Sequence, residues 1–285
     1  MKRGIIIIAI DHSLYFQYAL NLAISIKLNE PDLPITLLWQ GKGRSHIEPW
    51  ISIFDGVIEI DSKYTTKKGL HNPLRSKMYI YDLSPYKETI FLDADIILNP
   101  FKRIGVLFDE FNDIDFTMAN RGKNDLELDP NLLWVKSSDL KNVYGNKEVY
   151  NLSSEFIYFK KTTSVKKLFT ASKLAFEDPK LNYVRFSGGV PDELAFQIGM
   201  METGVEPHKS PYLPGYWNPT NRNEMKLQEF YRSEFYWYSV GGSVLSANQQ
   251  LIYNTIAKSN SVKFGMRYSF PCKSKREVIA NRSKI

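Results

Sequence analysis

The sequence predicts an α/β protein with a mainly parallel central sheet flanked by helices, and three observations predict it. Residues 4–10 form a continuous, β-branched apolar run of the kind found in strands covered on both faces. Further strand-like segments alternate with helical spacings over short connections, the pattern of a parallel sheet. A short apolar segment, residues 89–92, runs directly into two aspartates. That places acids at the carboxyl end of a strand, where open α/β sheets bind ligands.

Taken in order, the first strand is followed by Ser13, a good N-cap, and then by Tyr15, Ala19, Leu22 and Ile26 at helical spacing. Pro31 and Pro34 stop this helix. Residues 35–39 and 56–60 read as the second and third strands. Residues 72–82 read as a helix with Leu74, Met78 and Tyr81 on one side, ended by Pro85. After the strand at 89–92, residues 96–98 stay apolar until Asn99 and Pro100. Residues 116–119 read as a strand, 120–150 as an extended polar loop region, and 156–159 as a strand. Residues 164–175 and 192–201 read as helices, the second behind Pro191. Residues 207–238 are rich in Pro, Asn, Trp and Tyr and read as a cleft wall or lid. There is no internal repeat, so residues 1–257 are expected to form one domain and 258–285 a tail.

The chain has 285 residues, 43% hydrophobic and 24% charged, enough apolar surface to exclude disorder as its main state. A single cysteine, Cys272, excludes a disulfide framework and a cysteine-based zinc site, and fits a reducing, cytoplasmic compartment. The N-terminal apolar run is too short to span a bilayer. It ends at Asp11 without a small-residue cleavage site, so it reads as a buried strand rather than a signal peptide. The formal charge of +6 is concentrated near the C-terminus, where Lys258, Lys263, Arg267, Lys273, Lys275, Arg276, Arg282 and Lys284 face Glu277 alone. Such a tail can hold anionic lipid headgroups or nucleic-acid phosphates, or be a solvated terminus.

Asp93-Ala94-Asp95 is the most informative stretch. Burying two like charges together is unfavourable without a cation. A hard divalent ion resolves this by binding the carboxylates together with phosphate oxygens of a ligand, and Ala94 leaves room for that ligand to approach. The alternative is a solvated turn whose aspartates cap the next element.

Several segments in order carry a family resemblance. They are residues 9–15 (Ala-Ile-Asp-His-Ser-Leu-Tyr), Arg75-Ser76-Lys77-Met78 leading through Asp82 to Tyr86 and on to Asp93-Ala94-Asp95, residues 151–159 (Asn-Leu-Ser-Ser-Glu-Phe-Ile-Tyr-Phe), and Pro191-Asp192-Glu193-Leu194-Ala195. Together they resemble the nucleotide-sugar glycosyltransferases of the GT-A fold (Rossmann-like nucleotide-diphospho-sugar transferases), especially the family 8-like group, over about residues 4–200. The resemblance implies a metal-dependent transferase that moves a sugar from a nucleoside diphosphate sugar to an acceptor hydroxyl. Asp93 and Asp95 would hold Mn²⁺ or Mg²⁺, which bridges the two phosphates and stabilises the departing diphosphate. That group's closing His-x-x-Gly-x-x-Lys segment has no match here. The last histidine, His208, or else an oxygen ligand or water, is left as third ligand.

The resemblance also implies donor contacts from Asp11, Tyr15, Ala94, Asn151, Ser154, Glu155 and the Gly188-Gly189 pair. Arg75 and Lys77 either share the diphosphate charge or are ordinary helix charges, and Asp11 either meets the base or ribose or caps a helix. Asp192 and Glu193 suit a first helical turn from the macrodipole alone. Their catalytic reading is that one of them holds or deprotonates the acceptor hydroxyl. Tyr216, Trp217, Tyr236, Trp237 and Tyr238 are candidates to stack on sugars or bases.

The acceptor is expected to be a glycan or lipid-linked sugar, or a hydroxymethylated base in phage-type DNA modification. Peripheral contact with an anionic membrane or nucleic acid would then run through the tail. Retention and inversion both stay open. A nucleotidyltransferase is the first alternative, but Asp11-His12-Ser13 stands where such an enzyme needs a Gly-rich basic loop. A non-catalytic carbohydrate- or nucleic-acid-binding module is the second.

Overall fold

The chain opens as β1 (Arg3–Ile10), buried along nearly its whole length because its apolar side chains are covered on both faces. The structure, a computed structural model, describes residues 2–123, 131–132, 134–145, 147–183, 190–216, 225–241 and 247–266. α1 (Ser13–Asn29) follows and is buried nearly all round, including Asn21 and Ser25, rather than along one stripe. His12, not Ser13, is its N-cap: His12 Nδ1 accepts from the Leu14 amide at 3.1 Å. β2 (Ile35–Gln40) and β3 (Gly56–Glu59) pair in parallel.

A small hairpin, β4 (Thr66–Lys67) with β5 (Leu70–His71), leads to a 3₁₀ turn over Pro73–Tyr79 and then α2 (Ile80–Leu83). Asn72 caps that turn through the Leu74 amide at 3.0 Å. β6 (Glu88–Leu92) and β7 (Ile96–Leu98) flank the acidic doublet. α3 (Val106–Glu110), β8 (Phe116–Lys123), β9 (Asn131–Leu132), β10 (Val135–Lys136) and α4 (Ser137–Tyr144) come next. Residues 120–150 were expected to be loop. Their described part instead holds a strand end, a hairpin and a helix. α4 buries only Ser137 and Leu140, too few to leave an apolar stripe in the sequence.

β11 (Tyr150–Lys160) runs antiparallel to β8, and α5 (Thr163–Glu177) starts at a Thr162 cap. α6 (Asp192–Thr203) ends at Gly204 in the left-handed conformation. β12 (Gly215–Tyr216), α7 (Leu227–Arg232), β13 (Trp237–Ser239) and α8 (Ala247–Lys263) complete the order. Six strands join as β3-β2-β1-β6-β11-β8 in a mainly parallel sheet, and β12-β13-β7 form a separate three-stranded one.

The chain divides into two compact units, and the division passes along β1 and the end of β6. The first contains Met1–Ile6, Ile60–Phe91 and Glu110–Leu213. Its core is aromatic: Phe169 lies 5.2 Å from Phe159 and 5.6 Å from Phe196, and Phe111 lies 5.1 Å from Tyr158. Such pairs are worth about 0.5–1.5 kcal/mol each beyond burial. α5 and α6 approach so closely that a Cβ on Gly199 would collide with Ser172 Oγ.

The second unit contains Ile7–Glu59, Leu92–Asp109 and Pro214–Ile285. Here the polar groups inside α1 are used. Ser25 Oγ donates to Leu22 O at 2.7 Å and accepts from the Leu98 amide at 3.4 Å, and Asn21 donates to Tyr253 OH of α8 at 3.3 Å. Trp237 and Tyr238 are core residues of β13, registered against Leu98 and Ile97, and not a stacking platform. α8 runs through residue 258, so the boundary drawn there on charge falls inside a helix, while residues 267–285 lie outside the described residues. Among the described residues no helix is long and apolar enough to cross a membrane.

Candidate functional site

In the first unit, four of the residues singled out in the sequence meet. The 3₁₀ turn brings Lys77 inward, β11 brings Ser154, and the first turn of α6 brings Asp192 and Glu193. Lys77 Nζ lies 2.9 Å from Asp192 Oδ2 and donates to Ser154 Oγ at 3.0 Å. Ser154 Oγ lies 2.7 Å from Asp192 Oδ2 and 3.0 Å from Glu193 Oε1. The Phe91 ring centroid is 5.6 Å from the Lys77 ammonium. Asp192 is only 2% exposed and Lys77 9%.

Local irregularity helps build this cluster. β11 shifts register against β8 between Tyr150 and Leu152 and again between Ser153 and Ile157. Bulges of this kind re-aim side chains, and they concentrate beside active sites. Asn151 and Glu155, both half-buried, sit on the same irregular stretch. Gln197, which sequence reasoning missed, anchors it. Its Oε1 accepts from the Tyr150 amide at 2.8 Å and its Nε2 donates to Glu148 O at 3.1 Å. The available signal was its spacing of four from Glu193, which puts both on one helix face.

The two acids are driven apart electrostatically. Burial opposes ionisation of Asp192, but the Lys77 charge and hydrogen bonds from Glu193, Lys77 and Ser154 outweigh it and hold Asp192 below the usual carboxylate range. Burial, then the Asp192 charge and the hydrogen bond to it, push Glu193 up to about 8. One ammonium thus balances one carboxylate.

Arg75 is engaged elsewhere. Its Nε meets Glu177 Oε1 at 2.7 Å, its Nη2 donates to Tyr79 OH at 2.7 Å, and its Nη1 donates to Lys63 O. Lys67 binds the same Glu177. This is a structural ion-pair network joining the 3₁₀ turn to α5. His208 stacks edge-on to Phe111 at 6.3 Å and lines a surface pocket with Asp115, Phe116 and Glu206.

In the second unit, Asp93-Ala94-Asp95 forms the turn between β6 and β7. Asp95 is buried and Asp93 half-buried, and Val240 N donates to Asp95 O at 3.1 Å. Two carboxylates make an all-oxygen donor set, which suits a hard divalent cation. Among the described residues, no group of three His, Cys, Asp or Glu side chains is arranged to hold a metal. Asp93 and Asp95 belong to the second unit and His208 to the first.

Asp11 follows β1 in the left-handed conformation, φ +64°, with its amide donating to Gln40 O at 3.0 Å. Gly41 at φ +91° lies against it. Tyr15, on α1, is half-buried with its ring edge-on to Tyr18 at 6.4 Å. Tyr216 packs on Tyr238 at 5.4 Å and accepts from the Met225 amide, and Tyr236 is half-buried. Gly188, Gly189 and Trp217 lie outside the described residues.

No family model matches the sequence, and no curated protein matches it. Among solved structures the chain is similar to the apo form of the bifunctional glycosyltransferase WbbM, with a TM-score of 0.61 and 12% identity over 91% of this chain and 50% of that one. It thus spans half of WbbM. It is also similar to an active-site mutant of LgtC, with a TM-score of 0.56 and 13% identity over 90% of this chain and 95% of that one. At such identities the likeness concerns architecture: the chain has the GT-A fold that these two glycosyltransferases share.

Proposed function

We propose that this chain is a glycosyltransferase that moves a sugar from a nucleoside diphosphate sugar to an acceptor hydroxyl. The observation that carries the reading is the acidic turn Asp93-Ala94-Asp95 at the carboxyl end of β6, in a fold shared with two glycosyltransferases. Asp93 and Asp95 would hold a divalent cation, Mn²⁺ or Mg²⁺. When bound, that cation supplies positive charge to offset the charge that builds on a departing diphosphate.

The remaining roles belong to the chain's own groups. Asp11, in its strained turn, offers a carboxylate at the end of β1 to accept from ribose hydroxyls or base N–H groups. Lys77, Ser154, Asp192 and Glu193 form a preorganised polar cluster, in which fixed dipoles and charges need little reorganisation during reaction. Asp192, kept ionised by Lys77, is a hydrogen-bond acceptor for a sugar hydroxyl. Arg75 is left out of the donor site because Glu177 and Tyr79 hold it.

Thermal-shift measurement against nucleoside diphosphates, with and without Mn²⁺, tests the reading. A ligand that binds the native state alone raises its stability by mass action. A metal-dependent rise for one nucleotide is expected. Turnover of the matching nucleotide sugar is then expected with an acceptor from a panel of glycans, lipid-linked sugars and hydroxymethylated DNA. No shift with any nucleotide in the presence of Mn²⁺ would count against the proposal.

A further inference from the structure

We infer that Glu193 stands in this cluster at neutral pH as an uncharged carboxylic acid, a hydrogen-bond donor and not a proton acceptor. The inference deepens the transferase reading and rests on it for catalytic meaning, though not for its geometry. Proton counting around Ser154 carries it. A hydroxyl has one proton to donate and two lone pairs with which to accept. Among the described residues, three groups lie within hydrogen-bond reach of Ser154 Oγ: Lys77 Nζ at 3.0 Å, Asp192 Oδ2 at 2.7 Å and Glu193 Oε1 at 3.0 Å. Lys77 can only donate, so it fills one lone pair. Asp192, nearest to the hydroxyl and paired with Lys77, takes its proton. Only a lone pair is left for Glu193. Two facing lone pairs repel, and Glu193 also hydrogen-bonds the Asp192 carboxylate, so these contacts are favourable only when Glu193 brings a proton, which Ser154 and Asp192 share.

Charge counting agrees. Among the described residues, the charges that meet at Ser154 beside Glu193 are Asp192 from α6 and Lys77 from the 3₁₀ turn; β11 contributes the neutral Ser154 hydroxyl. On α5, Glu177 is bound by Arg75 and Lys67, and Lys173 by Asp82. Lys77 can balance one carboxylate, and a second ionised acid at the half-buried Glu193 would stand beside the buried Asp192 charge, like against like. Burial and the Asp192 charge raise Glu193 in the same sense. Under the transferase reading, Glu193 then presents a proton to a sugar or leaving-group oxygen. It does not deprotonate the acceptor, contrary to the base role that its sequence position suggested.

The test compares the wild type with Glu193→Gln, which keeps shape and donor capacity but cannot titrate. Unfolding constants are measured by urea denaturation from about pH 4 to about pH 9.5. A carboxyl held protonated in the folded state stabilises the fold fully below its unfolded value of 4.5, and that stability is lost as pH rises towards about 8. The ratio of wild-type to variant unfolding constants is therefore expected to climb about tenfold per pH unit across that window and to level off above it. A ratio that stays flat overturns the inference. Should the variant fail to fold, infrared spectroscopy of the wild type decides. The carbonyl band of a protonated carboxyl is expected at about pH 6.5, disappearing as pH rises through about 8, and its absence at the lower pH overturns the inference. Neither readout needs a sugar nucleotide, so a failure of nucleotide binding would sink the transferase reading and leave this one standing.

Discussion

Replacing Lys77 with Met keeps most of the side-chain volume and removes its charge. In the native cluster the two partners are almost dry, with Lys77 and Asp192 side chains 11% and 2% exposed and 2.9 Å between Nζ and Oδ2. The variant leaves the Asp192 carboxylate buried without a cation. Removing one partner of a buried pair destabilises by about 3–5 kcal/mol, against a total of about 5–15 kcal/mol for a typical domain. The loss has a definite pH dependence. Lys77 helps to hold Asp192 below the usual carboxylate range, so without it Asp192 takes up a proton more readily in the folded state. The deficit is therefore largest near neutrality and shrinks as pH falls towards the ordinary aspartate value of about 4. Urea unfolding followed by circular dichroism at about pH 7 and about pH 4.5 measures both effects. Combining Lys77→Met with Asp192→Leu replaces the pair with apolar groups and is expected to recover most of the loss. A deficit under about 1 kcal/mol at neutral pH, or one that does not shrink in acid, would refute the reasoning.

Three further outcomes are expected. Asp93→Asn abolishes the Mn²⁺-dependent nucleotide shift while changing unliganded stability by no more than about 1 kcal/mol, and a shift that survives would remove Asp93 from the metal site. Arg75→Ala lowers stability by about 1–3 kcal/mol through the lost Glu177 and Tyr79 partners and leaves nucleotide affinity unchanged; weaker nucleotide binding at unchanged stability would return Arg75 to the diphosphate. Gly41→Ala places a Cβ about 3.1 Å from Asp11 Cα at φ +91° and is expected to destabilise by about 1–2 kcal/mol, with wild-type melting behaviour as the contrary result.

Much of the strand and helix order was legible because it depends on near neighbours in the chain. The apolar run of β1, the parallel pairing of β2 with β3, the helices α5 and α6, and the placing of Asp93 at a strand end all follow from local spacing and breakers. Where the local signal is thin, tertiary packing decides. α4 has almost no apolar face, and the two residues of β13 taken for a platform turn out to be core because β7 pairs with that strand. α1 shows how a tertiary effect hides from a pattern: its spacing looked amphipathic, yet packing covers nearly every side.

The sequence by itself determined which chemical groups are present and which local elements carry them: two aspartates ending a strand, a lysine in a short turn, and two acids opening a helix. Only the tertiary structure decided that Lys77, Ser154, Asp192 and Glu193 meet, that Arg75 is tied to Glu177, and that His208 packs against Phe111. The reason is physical. Helix and strand formation respond to residues a few positions away, whereas charge state and hydrogen bonding respond to distance through space and to the loss of water. Residues 77, 154 and 192 have no spacing that foretells a 2.7 to 3.0 Å contact. It is that contact, made in a dry interior, that sets one acid to carry a charge and its neighbour to carry a proton.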